Sequence, residues 1–432
     1  NTALLAAFLL ATLPWYVMAS RWGTESNMFP SFFLLSICTL LYWYDSPQRR
    51  FLIPFSLIPM AITFYAYGTA IIPIPIFLTL FIIFNRKTIL QEKVSFLSSI
   101  LVFLLIAGPF FLFVLENDVL HRQLEFLTHL PFTIPYLPVN RLSQVNGNLS
   151  HRAILLANIR FVIGGYHDQW PMNSISWISP LGWLVPPFAA LGVYFSLKRQ
   201  QLAHNLIVFA LIGMLPTFVL FIFTVHRSNG LYIPLIALSA YSIISLLEYI
   251  QPIDTRIVIT TIMIGTLFFP NIFFYQYYFT SYDQDSAAWF HPGYDTALAF
   301  ADKEVHPNEL IYTQGGYEFT LFYLQSDLLD FSTHANIKII KGIYYVFSYR
   351  RYDFALLPNL SKVPSFIAIV QNSGGKFFCQ NKQVLYRDNT WLNDHWTVER
   401  CSPVSTSPHL RPHAHSRPQR RAPTQHILPS KI

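Results

Sequence analysis

Four short polar segments in an otherwise apolar sequence hold the side chains that could do chemistry. Ser20-Arg21-Trp22-Gly23-Thr24-Glu25-Ser26-Asn27 carries a cation and a carboxylate four residues apart, on one face if the loop opens a helix. The blander alternative is an interfacial ion pair worth under about 1 kcal/mol. Val225-His226-Arg227-Ser228-Asn229 offers a guanidinium, whose planar fork of donors suits a phosphate. Its alternative is an arginine snorkelling to lipid head groups. Gly164-Gly165-Tyr166-His167-Asp168-Gln169-Trp170-Pro171-Met172-Asn173 sets a histidine beside an aspartate in a Gly-broken turn. Two ligands are too few for a metal, and a capped loop is the simpler reading. Tyr65-Ala66-Tyr67-Gly68, with prolines after it, separates two apolar runs.

The elements that must position these residues are apolar runs. The chain has 432 residues, and only 12% of them are charged, against about 25% in an average soluble domain. The deficit lies almost wholly before about Tyr275. The runs are 3–19, 28–44, 51–66, 69–84, 95–115, 181–197, 206–224, 231–248 and 257–275, each near the ~20 residues a membrane-crossing helix needs. The pair 51–66 and 69–84 reads as a tight hairpin or one broken helix, kinked at Pro54, Pro59, Pro73 and Pro75. Basic residues crowd every second break: Arg49, Arg50, Arg86, Lys87, Lys93, Lys198, Arg199 and Arg256. The other breaks among these short loops hold only Arg21 and Arg227. The positive-inside rule makes the crowded side cytoplasmic. The net charge of +7 is spread over inner loops and the last thirty or so residues, so it argues for no nucleic-acid partner.

The expected fold class is therefore an α-helical polytopic membrane protein of about nine spans with a C-terminal extracytoplasmic α/β domain. Residues 1–276 form the membrane domain. Its outer loop 116–180 is too long for a connector, and its aromatic, amphipathic character, with a helix expected over His151–Ile163, suits an interfacial segment or a plug on the bundle. Residues 277–400 read as a small layered sheet. Helices are expected at Asp295–Lys303 and from Phe319, with strands at Glu309–Thr313, Ile337–Ile340, Phe354–Leu357 and Phe366–Val370 and an edge hairpin over Gly375–Arg387. That domain shows no phosphate loop and no metal-spaced cluster. Residues 401–432 are Pro-, Arg- and His-rich and lack apolar periodicity, as a disordered tail does.

Smaller features leave alternatives open. Thr2–Ala19 reads as a span, with a signal peptide as the rival, because Val17-Met18-Ala19 resembles a cleavage site while a basic n-region is lacking. Cys38 reads as a small core residue. Cys379 and Cys401 are either paired, as an oxidising compartment permits, or two free thiols. Asn148-Leu149-Ser150 and Asn359-Leu360-Ser361 match glycosylation sequons, a pattern common by chance.

The order of the polar motifs is more specific than any one of them. Ser-Arg-x-x-x-acid opens a span, then comes Tyr-x-Tyr-Gly. A long outer loop closes on Gly165, Asp168 and Asn173. A span then reaches Leu191-Gly192, and His-Arg-Ser-Asn precedes a span containing Pro234. Over about residues 1–275 this order resembles the GT-C glycosyltransferases related to protein O-mannosyltransferase and the lipid A aminoarabinose transferase. The resemblance implies transfer of a sugar from a polyprenyl-phosphate carrier to an acceptor hydroxyl, with inversion, at the outer face of the cytoplasmic membrane. The acceptor would be a glycan, lipid or protein, and membrane lipids would surround the enzyme. The resemblance names no certain cofactor, and a divalent metal at Glu25 is compatible with the family.

The resemblance also implies roles. Glu25 matches a second acidic position of the family, and Arg227 its basic residue near the carrier phosphate. Asp168 joins Glu25 as a catalytic candidate. Arg21, Tyr65, Tyr67, His167 and His226 join Arg227 as substrate-binding candidates. Ala70-Ile71 stands where the family often has arginine after Tyr-x-Tyr. The family's main base lies in an earlier outer loop, so the chain is expected to be N-terminally truncated and inactive as it stands. A flippase of lipid-linked sugar is the first rival, weakened by apolar runs with almost no internal charge. A non-catalytic scaffold is the second. A reporter fused at Pro292 tests the topology: alkaline phosphatase is expected to be active there, and an active cytoplasmic reporter would contradict the orientation.

Overall fold

The computed structural model describes residues 1–21, 23, 25–45, 48, 52–122, 124, 134, 150–164, 172–175, 178–250, 252–340, 343–354, 365–371, 379–388 and 396–403. These form two compact units, Asn1–Phe290 and His291–Ile432. The division falls after a short helix at Tyr282–Phe290 rather than at residue 276.

The first unit is helical. It comprises α1 (Thr2–Thr12), α2 (Pro14–Arg21), α3 (Met28–Tyr44), α4 (Ile53–Ser56), α5 (Ile58–Ala66), α6 (Pro73–Phe84), α7 (Arg86–Gln91), α8 (Lys93–Val114), α9 (His151–Gly164), α10 (Val185–Arg199), α11 (Leu202–Met214), α12 (Thr217–Leu220), α13 (Val225–Glu248), α14 (Ile253–Thr280) and α15 (Tyr282–Phe290). Among the described residues five helical stretches are long and apolar enough to cross a membrane: Glu25–Tyr44, Lys93–Val119, Leu202–Leu220, Val225–Glu248 and Ile253–Thr280. A sixth arises if α1 and α2, bent by 60° at Leu13, count as one span. Nine spans are more than the helix lengths give. The runs at 51–66, 69–84 and 181–197 fold as shorter helices. Each of the three opens on a proline in its first turn, Pro186 in the case of α10. Pro59 and Pro73 sit in first turns, where a missing N–H costs nothing, and so each restarts a helix instead of continuing one.

Helix α13 is the axis of this unit. Its apolar window is 78% buried, against 17% for Lys93–Val119 and for Ile253–Thr280, so it packs on protein while those two expose most of their apolar surface. Close approach to α10 depends on Gly192, where an added Cβ would stand 2.2 Å from the Leu238 carbonyl oxygen. Small residues at such crossings are the usual route to tight helix packing in lipid. Beside it the Ser239 hydroxyl donates to the Val185 carbonyl (2.6 Å).

Helix α9 confirms the expectation of a helix over His151–Ile163. It buries Ile154, Asn158, Phe161 and Val162 and exposes its other faces, the spacing of one helical stripe. Of the rest of the expected interfacial stretch, Phe126 to Leu130 and Tyr136 lie outside the described residues, as do Arg49, Arg50 and both sequons' asparagines. The tail expected to be disordered from 401 is corrected at its start, because residues 401–403 complete β7 (Trp396–Pro403), and from 404 it lies outside the described residues.

The second unit holds α16 (Tyr294–Glu304), β1 (Leu310–Thr313), α17 (Gly316–Tyr323), α18 (Leu328–His334), β2 (Ala335–Ile340), β3 (Ile343–Tyr349), β4 (Tyr352–Asp353), β5 (Phe366–Gln371), β6 (Cys379–Arg387) and β7 (Trp396–Pro403). The described strands form one sheet ordered β2-β3-β4-β1-β5-β7-β6. Strand β1 runs parallel to both β4 and β5, and the other pairs are antiparallel. Strand β5, Phe-Ile-Ala-Ile-Val, is buried on both faces and so reads as a continuous apolar run. Tyr294, Leu298 and Ala301 of α16 pack on Ile311, Ile367 and Ile369. The strand expected from Phe354 ends earlier, at Asp353, with residues 355–357 outside the described set. The hairpin expected over Gly375–Arg387 is instead β6 paired with β7. Cys401 is disulfide-bonded, and Cys38 is free and exposed on α3 instead of in the core as expected. The side chain of Cys379 lies outside the described residues.

Gly192→Ala is expected to destabilise the first unit by roughly 2 kcal/mol, the usual cost of overpacking, read as a lower melting temperature in detergent. An unchanged melting temperature would show that α10 and α13 can part freely.

Candidate functional site

The polar motifs that the sequence spaces far apart meet at the first turn of α13. Proline at the start of α2 turns the chain at Leu13, and the Trp15 N–H is taken by the Pro180 carbonyl (3.0 Å). The turn buries the Trp15 indole against Tyr232, 4.7 Å between ring centres. Its Nε1–H donates to Asn229 Oδ1 (2.9 Å). The Asn229 amide nitrogen donates to the Ser26 carbonyl (3.2 Å) and to Asn27 Oδ1 (3.1 Å). Asn27 in turn donates to the Ala19 carbonyl (2.8 Å). Asn229 is fully buried, and both its amide hydrogens and its oxygen are engaged, as a buried amide requires. Gly230 makes this junction possible, since a Cβ there would stand 2.3 Å from the Phe29 ring.

This junction fixes Glu25. The residue opens the 3-10 turn Glu25–Asn27, and its side chain is exposed. Arg21 closes α2. The pair therefore does not share one helix face as expected, because the chain breaks between them. Arg21 donates to the Tyr278 hydroxyl (2.5 Å) and stacks over that ring at 4.9 Å, a contact that holds α14 to α2.

His226 and Tyr67 lie side by side. Tyr67 ends α5 in an extended conformation, and its ring meets the His226 imidazole edge-on, 6.2 Å between centres. The Asn173 amide nitrogen lies 3.2 Å from His226 Nδ1, and Thr224 Oγ1 lies 3.2 Å from Nε2. With the amide donating, Nδ1 accepts and the ring proton sits on Nε2, pointing at Thr224. Helix α9 sets the approach to this turn. Asn158 donates to the carbonyls of Phe218 (2.9 Å) and Phe221 (2.6 Å) and accepts from the Phe223 N–H (2.7 Å). Three bonds from one buried amide shape the break before α13, and the break aims His226.

Arg227 is half-buried on that first turn, its N–H bonded to the Thr224 carbonyl (3.0 Å). Among the described residues no ion pair engages it. Tyr65 does not join the site. Its hydroxyl donates to the Ile106 carbonyl (2.7 Å) and its ring lies against Phe110, which makes it a bond between α5 and α8. His167 and Asp168 lie outside the described residues. Among the described residues no three His, Cys, Asp or Glu side chains are grouped to hold a metal. A cavity of about 10 Å³, the size of one water, lies between Trp15, Pro14, Met18, Asn173 and Phe274, between the Asn229 junction and the His226 cluster.

Comparison with protein-family models, with characterised proteins and with solved structures gives no match for this chain. The site therefore rests on its own geometry. Sequence reasoning picked out Glu25, Tyr67, His226 and Arg227, gave Asn229 no role of its own, and read Trp15 with Tyr16 as an interfacial anchor of the first span, whereas Trp15 is buried. The signal for Asn229 was present: an asparagine at the rim of a span must find partners within the protein.

Asn229→Asp keeps the shape but removes two donors. It is expected to cost about 1–3 kcal/mol, the price of buried groups left unpaired, seen as a lower melting temperature. Retention of full stability by Asn229→Asp would show that the junction does not hold the site together.

Proposed function

We propose that this protein is a GT-C-type glycosyltransferase of the cytoplasmic membrane. It would move a sugar from a polyprenyl-phosphate carrier to an acceptor hydroxyl at the outer face. One observation carries the reading: among the described residues, members of four of the motifs that make the sequence resemble that family meet at one end of the helical unit. Asn229 ties the turn holding Glu25 to the turn holding Arg227, and His226 ties Tyr67 to Asn173.

The chemistry asked of such a site is modest. A carrier phosphate is a good leaving group, so no strong acid is needed. A cation must hold the phosphate while negative charge gathers on it. Arg227 supplies a forked donor, and it stands at the start of α13, where the helix dipole also favours an anion. Glu25, exposed at the same junction, is suited to orient the acceptor hydroxyl or a divalent ion. His226, held between Asn173 and Thr224, positions the Tyr67 ring beside Arg227's turn. The eight basic residues of the inner loops against two outside support an outward-facing site. The disulfide at Cys401 supports an oxidising compartment for the second unit.

The test is transfer from a radiolabelled polyprenyl-phosphate sugar by the full gene product in proteoliposomes. Arg227→Ala is expected to lower kcat/KM by about 10²–10³-fold, with Arg227→Lys intermediate because the charge stays and the fork is lost. Glu25→Gln is expected to lower it by about 10²–10⁴-fold. Wild-type activity in both Arg227→Ala and Glu25→Gln would contradict the site. Vectorial movement of the intact lipid-linked sugar, with no transfer, would identify a flippase.

A further inference from the structure

Among the described residues of the first unit, Glu116 is the sole buried acidic side chain, and the proposed reaction has not yet used it. It is 0% exposed at the end of an apolar helix long enough to cross a membrane. Ionisable side chains in that setting mark function by default, because their burial is expensive. The backbone there is special as well. Helix α8 widens into a π-turn over Leu115–Val119, closed by the Leu120 N–H on the Leu115 carbonyl (2.9 Å). Such insertions cost stability and gather at functional sites.

One carboxylate oxygen is satisfied and the other is not. Oε1 accepts the Leu124 N–H (3.0 Å), and the Glu116 carbonyl accepts the Arg122 N–H (3.2 Å). Oε2 is buried and has no hydrogen-bond partner among the described residues. Of the neighbouring polar groups, Asn117 Nδ2 donates to the Phe113 carbonyl (3.0 Å), His121 Nδ1 bonds the Asn117 carbonyl (2.8 Å), and Asp118 carries a second buried carboxylate oxygen, Oδ2, on the same π-turn. An acceptor oxygen left so carries its full desolvation cost until a donor reaches it.

The position fits a ligand of the proposed site. Ser99 donates to the Ile53 carbonyl (2.6 Å), and Phe111 packs on Phe64 at 5.0 Å, so α8 runs parallel to the α4–α5 segment. Glu116 lies five residues past Phe111, about 7 Å along the axis, and Tyr67 three residues past Phe64, about 4–5 Å. Glu116 thus reaches the same end of the bundle as Tyr67, whose ring touches His226.

We propose that Glu116 Oε2 binds a hydroxyl of the reacting molecules, one belonging either to the transferred sugar or to the acceptor. The inference rests on the glycosyltransferase reading and adds a residue that reading lacks. If the hydroxyl is the acceptor's, Oε2 takes its proton as the acceptor oxygen bonds to the anomeric carbon. The bond from that carbon to the phosphate oxygen breaks, and its electron pair leaves on the lipid phosphate. If the hydroxyl is the sugar's, Glu116 orients the ring and moves no proton.

The experiment uses the full gene product in proteoliposomes with a polyprenyl-phosphate sugar, comparing wild type, Glu116→Gln and Glu116→Ala. Glutamine keeps an oxygen for the Leu124 N–H. Glu116→Gln is therefore expected to hold or raise the melting temperature while transfer falls about 10²-fold or more. Sodium azide, a nucleophile with no proton to lose, separates the two sources. Glycosyl azide formed by Glu116→Ala identifies the acceptor hydroxyl. A raised donor KM without azide product identifies the sugar hydroxyl. Wild-type transfer by Glu116→Gln, activity and melting temperature falling together, or loss with neither signature would overturn the proposal. Absence of transfer by the wild-type protein would instead overturn the functional reading on which it stands.

Discussion

The helical unit depends on one buried amide. Asn229 sits where the turn after α2, the start of α3 and the start of α13 meet, and it bonds to Trp15, Ser26 and Asn27 at once. In an apolar surrounding a polar group left unpaired is costly, so the amide admits few alternative arrangements. The constraint spreads outward. Trp15 is fixed in the bend below α1, Glu25 is carried on the turn that Asn229 holds, and the residues next to Asn229 along α13 are His226 and Arg227. A second amide, Asn158, does the same for the break before α13. Position at this site is thus set by asparagines, which do no chemistry, and the ionisable groups inherit it.

The helices were legible because a span is long and its apolar periodicity repeats. Runs such as 28–44, 231–248 and 257–275 map onto α3, α13 and α14 within a few residues. Prolines blurred the count. A proline at the start of a helix and one inside it look alike in a sequence, yet Pro59 and Pro73 open helices while Pro109, Pro234 and Pro270 lie within them. The site was half-legible for a similar reason. Charge against an apolar background drew attention to Arg21, Glu25, His226 and Arg227. Nothing in the spacing said that Arg21 would stack on Tyr278 or that Tyr65 would spend its hydroxyl on Ile106.

The second unit shows where strand reading falters. β5 is apolar throughout and was easily seen. β7 was missed because Glu399 and Arg400 interrupt its pattern. Both are structural. Glu399 is fully buried and takes Lys382 from β6 at 2.5 Å, and Arg400 reaches Glu309 at 3.2 Å. β3 was missed because its aromatic residues do not alternate with polar ones. At Asp330 the Arg350 guanidinium and the Tyr349 hydroxyl hold the carboxyl down at about 2, so a short pK-shifted cluster here marks a structural pin and not a reaction centre.

The central claim is that the end of the helical unit carrying Glu25 and Arg227 holds a lipid-linked phosphate. Photocrosslinking with a diazirine-bearing polyprenyl phosphate, followed by peptide mapping, addresses it without depending on turnover. The account predicts labels on Glu25–Met28 and Thr224–Ser228 that unlabelled polyprenyl phosphate competes away. Competed labels confined to the opposite end, around Lys87, Lys93, Lys198 and Arg256, would contradict it.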